Sequence, residues 1–356
     1  MKRFFVLLSV LALTAMSAFS FAACGGKVTP GDKAISVVAP DGAPLLSLTK
    51  MWAEDFKIAD GYDVTYQSLT GGDPLTTALM KSEPDIAIAP INVCAKVYNE
   101  GKGYRFAGVS IWGIMHIVTN STAQTVALDD IKGKNIVAFQ KAATPGITLR
   151  AVLTQNNIGF TENLNGSVEG DKVNILYLAD APAVQAAVVA GKITADGDEI
   201  AIEYALLPEP VATAITGATK DKPQGQFWAK INLQNEWKAK NNGDMYPQAG
   251  LIFHERLLAS DKAFVDKFIE MAAMSTAWAA QNPEAAGNLA KEKLGSTLPG
   301  GTPIKAAVNA GRLPLNFTYA ADAKTAAAAY LGIIFNDNGN NLVGGKLPDD
   351  TFYYAK

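Results

Sequence analysis

Strand-like and helix-like stretches alternate along this 356-residue chain, and the joints between them share one device. ISVVA at 35–39, VTYQSL at 64–69, DIAIA at 85–89, NIVAF at 135–139 and VNILYL at 173–178 have the length and apolar character of short strands. Helical spacing follows them. Leu45, Leu48, Trp52 and Phe56 lie three and four residues apart and predict one helix. Strands alternating with helices argue for parallel sheets covered on both faces. Four of the helices begin with a short residue and a proline: Ala43-Pro44, Asp73-Pro74, Thr144-Pro145 and Ala181-Pro182. Proline at the first helical position gives up no intrahelical hydrogen bond, and Asp73 suits an N-cap. One such joint is ordinary punctuation. Four of them mark the carboxyl ends of parallel strands, where α/β folds bind ligands. There, helix N-termini offer unpaired N–H groups, and Gly71 and Gly72 let a ligand approach the backbone.

The order of elements repeats. Strand, Asp-Pro, helix, strand and Pro90 in one region match strand, Ala-Pro, helix, strand and Pro208-Glu209-Pro210 in another. The repeat is one of order, not of sequence, and reads as two α/β lobes of similar build. A chain of this length exceeds one small core and fits about two domains. A helical region follows the strand LIF at 251–253. Ser260 is a candidate cap for a helix whose inner face carries Phe264, Phe268, Ala272, Ser275 and Trp278, and Asn282-Pro283 ends it.

Hydrophobic residues make up 49% and charged ones 18%, a globular composition. Net charge is −3, and no run of like charge reaches five residues, so no basic face invites nucleic acid. His116 and His254 stand apart from any Ser, Cys or carboxylate arrangement, and read as core or surface histidines. No Cys/His cluster has metal-ligand spacing, and there is no Walker loop and no GxGxxG. No catalytic residue, metal or cofactor is therefore assigned. Cys94 lies in an apolar stretch and reads as a buried thiol. The N-terminus is different in kind. Lys2 and Arg3 precede an uncharged, mostly apolar run from 4 to 21, then Ala22-Ala23-Cys24. That is the layout of a secretory signal, residues 1–23, with a membrane anchor helix as its rival. FAAC resembles the bacterial lipoprotein box, with Phe21 where Leu is usual. Lipid on Cys24 and a tether over 24–32 follow from that resemblance.

Larger segments carry a second resemblance: SEPDIAIAPINVCAKVYNEGKG at 82–103, LDDIKGKNIVAF at 128–139, AATPG at 142–146, LLPEP at 206–210 and VGGKLPDDTFYY at 343–354. Together they resemble the substrate-binding lipoproteins of ABC importers with the type 2 periplasmic binding protein fold, in the nitrate, sulfonate, taurine and thiamine-precursor group. The resemblance implies two α/β lobes with mixed, mostly parallel sheets joined by two hinge crossings. These are expected near 119–123 and 244–249, giving lobes at 33–118 plus 249–356 and at 119–248. It implies an extracytoplasmic, lipid-anchored monomer that delivers a small solute to an ABC permease and catalyses nothing. Two other readings stay open: a pyrimidine-synthase-like enzyme of the same fold, and a sensing lipoprotein without a transporter. One departure is an apparent insertion over 193–205, after Gly191-Lys192.

The candidate ligand residues are Asp41, Gly42, Ala43, Thr70, Gly71, Gly72, Pro90, Asn92, Trp112, Thr144, Asp180 and Glu209. Asp41, Asp73, Asp180 and Glu209 are acidic, and Lys141 alone is basic among these loops. One unpaired carboxylate about 4 Å from an anion costs around 4 kcal/mol at an effective dielectric near 20. A helix N-terminus returns roughly 0.3–1 kcal/mol. The balance favours a neutral or cationic organic ligand over a bare anion, with Trp112 or Tyr177 available to stack a heteroaromatic ring. Glu209, held between two prolines, is the expected partner for a ligand N–H or ammonium.

Overall fold

The computed structural model describes residues 33–70, 72–121, 125–195, 197–219, 228–338 and 340–356. The expected signal, the tether, Cys24 and Gly71 lie outside them. From the N-terminus come β1 (Lys33–Pro40), a 3₁₀ turn (Ala43–Ser47), α1 (Thr49–Ala53), β2 (Tyr62–Leu69), α2 (Gly72–Met80), β3 (Ile86–Pro90), α3 (Ile91–Asn99) and β4 (Tyr104–Trp112). Then come β5 (Met115–Thr119), β6 (Asn135–Phe139), α4 (Thr144–Gln155), β7 (Phe160–Thr161), β8 (Val173–Leu178), α5 (Ala181–Ala190), β9 (Lys192–Ala195), β10 (Asp198–Ala201), β11 (Tyr204–Pro208) and α6 (Val211–Thr219). The rest is β12 (Trp228–Asn232), α7 (Leu233–Lys240), β13 (Pro247–His254), α8 (Arg256–Gln281), α9 (Pro283–Leu294), α10 (Gly301–Asn309), β14 (Thr318–Tyr319) and α11 (Ala320–Asn338).

The strands form two six-stranded sheets, ordered β14-β4-β13-β3-β1-β2 and β12-β5-β11-β6-β8-β7. The repeat of order is real at this level. In each sheet a parallel trio, β2-β1-β3 or β8-β6-β11, is followed by an antiparallel strand, β13 or β5. Both sheets are mixed. Parallel pairs are not the majority, because five of the ten pairings are antiparallel. The central strands are buried on both faces, with Ile86–Ala89 and Leu206–Leu207 at most 1% exposed. Such strands read as continuous apolar runs, which is why their sequences showed no alternation.

Several local expectations change. The helix expected over Leu45 to Phe56 divides into the 3₁₀ turn and the single turn of α1. Gly42 at φ 115° turns the chain into it, Pro44 follows, and i→i+3 bonding from Leu48 N–H to Leu45 O tightens it. Trp52 leaves the core and stacks on Tyr66 at 5.5 Å. Asp261, not Ser260, caps the main part of α8. Its carboxylate accepts from Phe264 N–H at 3.0 Å, and its own backbone breaks the helix at φ −164°. The segment expected as an insertion contains an antiparallel hairpin of β9 and β10.

The first crossing also moves. β5 pairs with β11 and β12, so 115–118 belong to the second sheet. The chain passes between sheets at Gly113 and Ile114, ahead of the expected 118/119 boundary. Residues 106–118 are all buried, and no polar break marks the passage. Return occurs between α7 and β13, over 241–246, and β13 already starts at Pro247, two residues before the expected lobe boundary. The two passages touch. Gly113 N–H donates to Tyr246 O at 3.0 Å, and a Cβ on Gly113 would stand 2.3 Å from the Tyr246 ring. Only glycine fits there. Tyr246 packs against Trp237 and Tyr330 with ring centroids 5.7 and 5.6 Å away, which joins the passage to α7 and α11.

Candidate functional site

A cavity of about 530 Å³ opens between the two sheets. Its floor lies beside the two passages: Ile114 and the start of β5 at Met115 on one, Gln248 and Ala249 at the start of β13 on the other. Its walls are the carboxyl ends of parallel strands from both sheets: Pro40 and Pro90 on one side, Phe139 and Pro208 on the other. Pro44, Pro74 and Pro145 border it at helix starts, so three of the four proline joints meet here; Pro182 is exposed and stays outside.

Seven of the sequence-selected residues border this cavity: Asp41, Gly42, Ala43, Pro90, Asn92, Asp180 and Glu209. The others do not. Thr70 is exposed beyond the rim, and Gly72 only starts α2. Thr144 is fully buried beneath the floor. Trp112 is turned into the first lobe, where its Nε1–H is shared between Asn316 O and Thr318 Oγ1, both at 3.2 Å. Tyr177 is engaged by Arg150, whose Nη1–H donates to its hydroxyl at 2.8 Å. Neither ring is placed to stack a ligand in the cavity. Lys141 is also outside, paired with Glu162. Asp73 borders the cavity, but lies inside the first turn of α2 and is not its cap.

The acidic groups are largely spoken for. Asp41 accepts from Thr297 N–H at 2.9 Å, Gly42 N–H at 2.9 Å, Thr297 Oγ1–H at 2.5 Å and Ser296 Oγ–H. Burial raises the Asp41 carboxyl, but these bonds outweigh it and hold the group below its ordinary value. Asp180 caps α5 by accepting from Ala183 N–H at 2.9 Å. Glu209 is 1% exposed, and its partner is a protein cation: Arg312 Nε lies 2.7 Å from Oε1. Thr213 N–H at 3.0 Å and its hydroxyl at 2.9 Å complete the shell. Arg312 follows α10, more than a hundred residues away in sequence, so no local pattern near Glu209 pointed to it.

Sequence reasoning also missed Gln248 and Lys96, which border the cavity. The signal for Gln248 was present, since 244–249 was expected as a crossing, and crossings floor the cleft. No histidine, cysteine, serine or tyrosine borders the cavity among the described residues. Burial pushes the His116 imidazole down, and its Nδ1 lies 3.1 Å from Ile114 O. Cys94 is fully buried, with burial pushing its thiol up. Among the described residues no group of three His, Cys, Asp or Glu side chains could hold a metal ion, and no helix is long and apolar enough to cross a membrane.

No protein-family model and no curated protein sequence matches the chain. Solved structures do. A structure described as an ABC transporter from Parabacteroides distasonis aligns with TM-score 0.70 and 21% identity, over 91% of this chain and 100% of its own. The periplasmic aliphatic sulphonate binding protein of Escherichia coli aligns with TM-score 0.60 and 14% identity, over 91% and 94%. A Candida albicans protein described as exhibiting the generic periplasmic binding protein fold aligns with TM-score 0.54 and 11% identity, over 89% and 98%. At these identities the likeness is one of fold. The chain has the periplasmic binding protein fold, two α/β lobes joined by two passages.

Proposed function

We propose that this protein is an extracytoplasmic solute-binding receptor, which takes a small organic molecule into the cleft between its lobes and hands it to an ABC permease. The observation that carries this is the cleft itself: strand ends from two matching sheets face each other across a floor beside the two passages. Lobes at 33–112 plus 247–356 and at 115–240 turn about those passages and close on the ligand. The signal-like N-terminus and the lipoprotein-box resemblance at Cys24 support a site of action outside the cytoplasmic membrane, held there by lipid, and the reading takes the receptor to act as a monomer. Binding without turnover is supported by the cleft's lining: proline, aliphatic and amide side chains, with Asp41, Asp180 and Glu209 held in hydrogen bonds within the protein. Among the described residues no histidine or thiol borders it to act as base or nucleophile.

A neutral or cationic organic ligand remains the better fit than a bare anion. Asp41, Asp73, Asp180 and Glu209 border the cleft, against Lys96 as the one cation among its described lining residues. Apolar contact comes from the proline rings and Phe139, taking the place of the ring stacking expected on Trp112 or Tyr177. Gly42, Ala43, Pro90 and Asn92 are the contacts retained. Small-angle scattering tests the reading. Protein freed of bound small molecules should be more extended than protein loaded with the compound released from it, as identified by mass spectrometry. Identical scattering curves, or chemical conversion of that compound by the protein, would refute it.

A further inference from the structure

The cleft floor holds a polar atom that no described residue pairs with. Gln248 is the second residue of β13, borders the cleft and is 7% exposed, yet its Oε1 has no hydrogen-bond partner among the described residues. A buried acceptor left unpaired is costly, so an unpaired one in a native fold calls for a reason. Beside it is a second primary amide. Asn92 is 2% exposed, and its Nδ2–H bonds to Ala142 O and Leu342 O are long, 3.5 and 3.4 Å. Thr144 ties the two residues together from beneath. Its hydroxyl lies 3.5 Å from Asn92 Oδ1 and 3.4 Å from Gln248 O.

The nearby charges are less available than these amides. Glu209 holds Arg312, and Asp41 is filled by Ser296 and Thr297. A primary amide presents a donor and an acceptor on one planar edge, and a half-turn about its last torsion exchanges them. Its full complement is another amide-like edge. A carboxylate or sulfonate offers acceptors only and leaves Gln248 Oε1 as it stands.

We propose that Gln248 is a specificity-determining residue of the cleft, and that the ligand presents to it an amide, ureido or lactam group. The proposal rests on the receptor reading and narrows it to a substrate class. A site built to hydrogen-bond a ligand group rejects analogues that lack it, because its own buried polar atoms are then left unpaired.

The test uses full-length protein, a cell metabolite extract, extensive washing, and mass spectrometry of what denaturation releases. Gln248→Met keeps the unbranched length and removes both polar atoms. Gln248→Glu keeps an acceptor and removes the donor. Wild-type protein should retain a compound carrying an amide, ureido or lactam. Gln248→Met should retain about tenfold less of it or lower, and Gln248→Glu an intermediate amount. If either variant melts well below wild type, the other decides. A retained compound without such a group overturns the proposal alone, as does full retention by Gln248→Met. A wild-type protein that retains nothing overturns the receptor reading, and the proposal with it.

Discussion

Among the described residues two ion pairs span the lobes, and they are opposite in sense. At the cleft the second lobe supplies the anion, Glu209, and the first supplies Arg312. Away from the cleft the second lobe supplies the cation, Arg150 on α4, and the first supplies Asp337 on α11. In both pairs the second-lobe side chain is the buried one: Glu209 0% and Arg150 2% exposed, against 28% for Arg312 and 14% for Asp337. The difference lies in what each buried charge can do if its partner leaves. A carboxylate can neutralise itself by taking a proton, whereas a guanidinium cannot lose one near neutrality. The pair on the hinge side is therefore the less forgiving of the two.

The largest effect should come from Asp337→Ala. Burial works against the charge on Arg150, and Tyr177 and Asp337 overcome it. Nε lies 3.1 Å and Nη2 3.0 Å from Asp337 Oδ2. Removing one partner of a buried pair costs about 3–5 kcal/mol. Tyr177 Oη at 2.8 Å, Lys141 O at 3.1 Å and Glu162 at 3.9 Å remain, so about 3 kcal/mol is expected from urea unfolding at neutral pH. A loss under about 1 kcal/mol would mean that the two pairs do not differ as argued.

Arg312→Met should cost less, about 1.5 kcal/mol at neutral pH, the low end for a hydrogen bond to a charged group, since Arg312 is partly exposed. A deficit as large as that of Asp337→Ala would remove the distinction between the pairs. With Glu209 buried against Arg312, Glu209→Gln should bring a loss similar to that of Arg312→Met.

This pair shows where sequence reading stopped. The strands at 135–139 and 173–178 were legible to the residue, because each is a mostly apolar run, broken only by Asn135 or Asn174, that starts after a lysine, Lys134 or Lys172. The cleft followed from proline joints placed after strands. What these patterns could not carry is who meets whom across long separations. Glu209 and Arg312 are joined only by the packing of α10 against α6, and Asp41 meets Ser296 through a loop 255 residues away. The passage at Gly113 left no mark because a strand that changes sheets in the core stays apolar throughout.

Asp41 completes the comparison with the smallest effect. Like Glu209 it is a carboxylate at the cleft, but its partners are two hydroxyls and two backbone N–H groups instead of a cation. Neutral donors hold its folded-state value below ordinary, while the unfolded chain titrates near pH 3.9. A lowered folded-state value means that the folded state binds protons more weakly than the unfolded one. The group then contributes stability above about pH 4 and loses that contribution as pH falls through the folded value. Asp41→Asn keeps the shape, removes the charge and turns an NH₂ toward groups that donate. It should cost roughly 1 kcal/mol at pH 7, a typical net hydrogen-bond contribution. The gap from wild type should narrow on going to pH 3, because the unfolded wild-type chain then takes up the proton and part of the Asp41 contribution is lost. Unfolding wild type and Asp41→Asn in urea at pH 7 and pH 3 checks this. A gap that widens at pH 3, or no gap at pH 7, would show that hydroxyl and N–H donors do not hold Asp41 in its charged form.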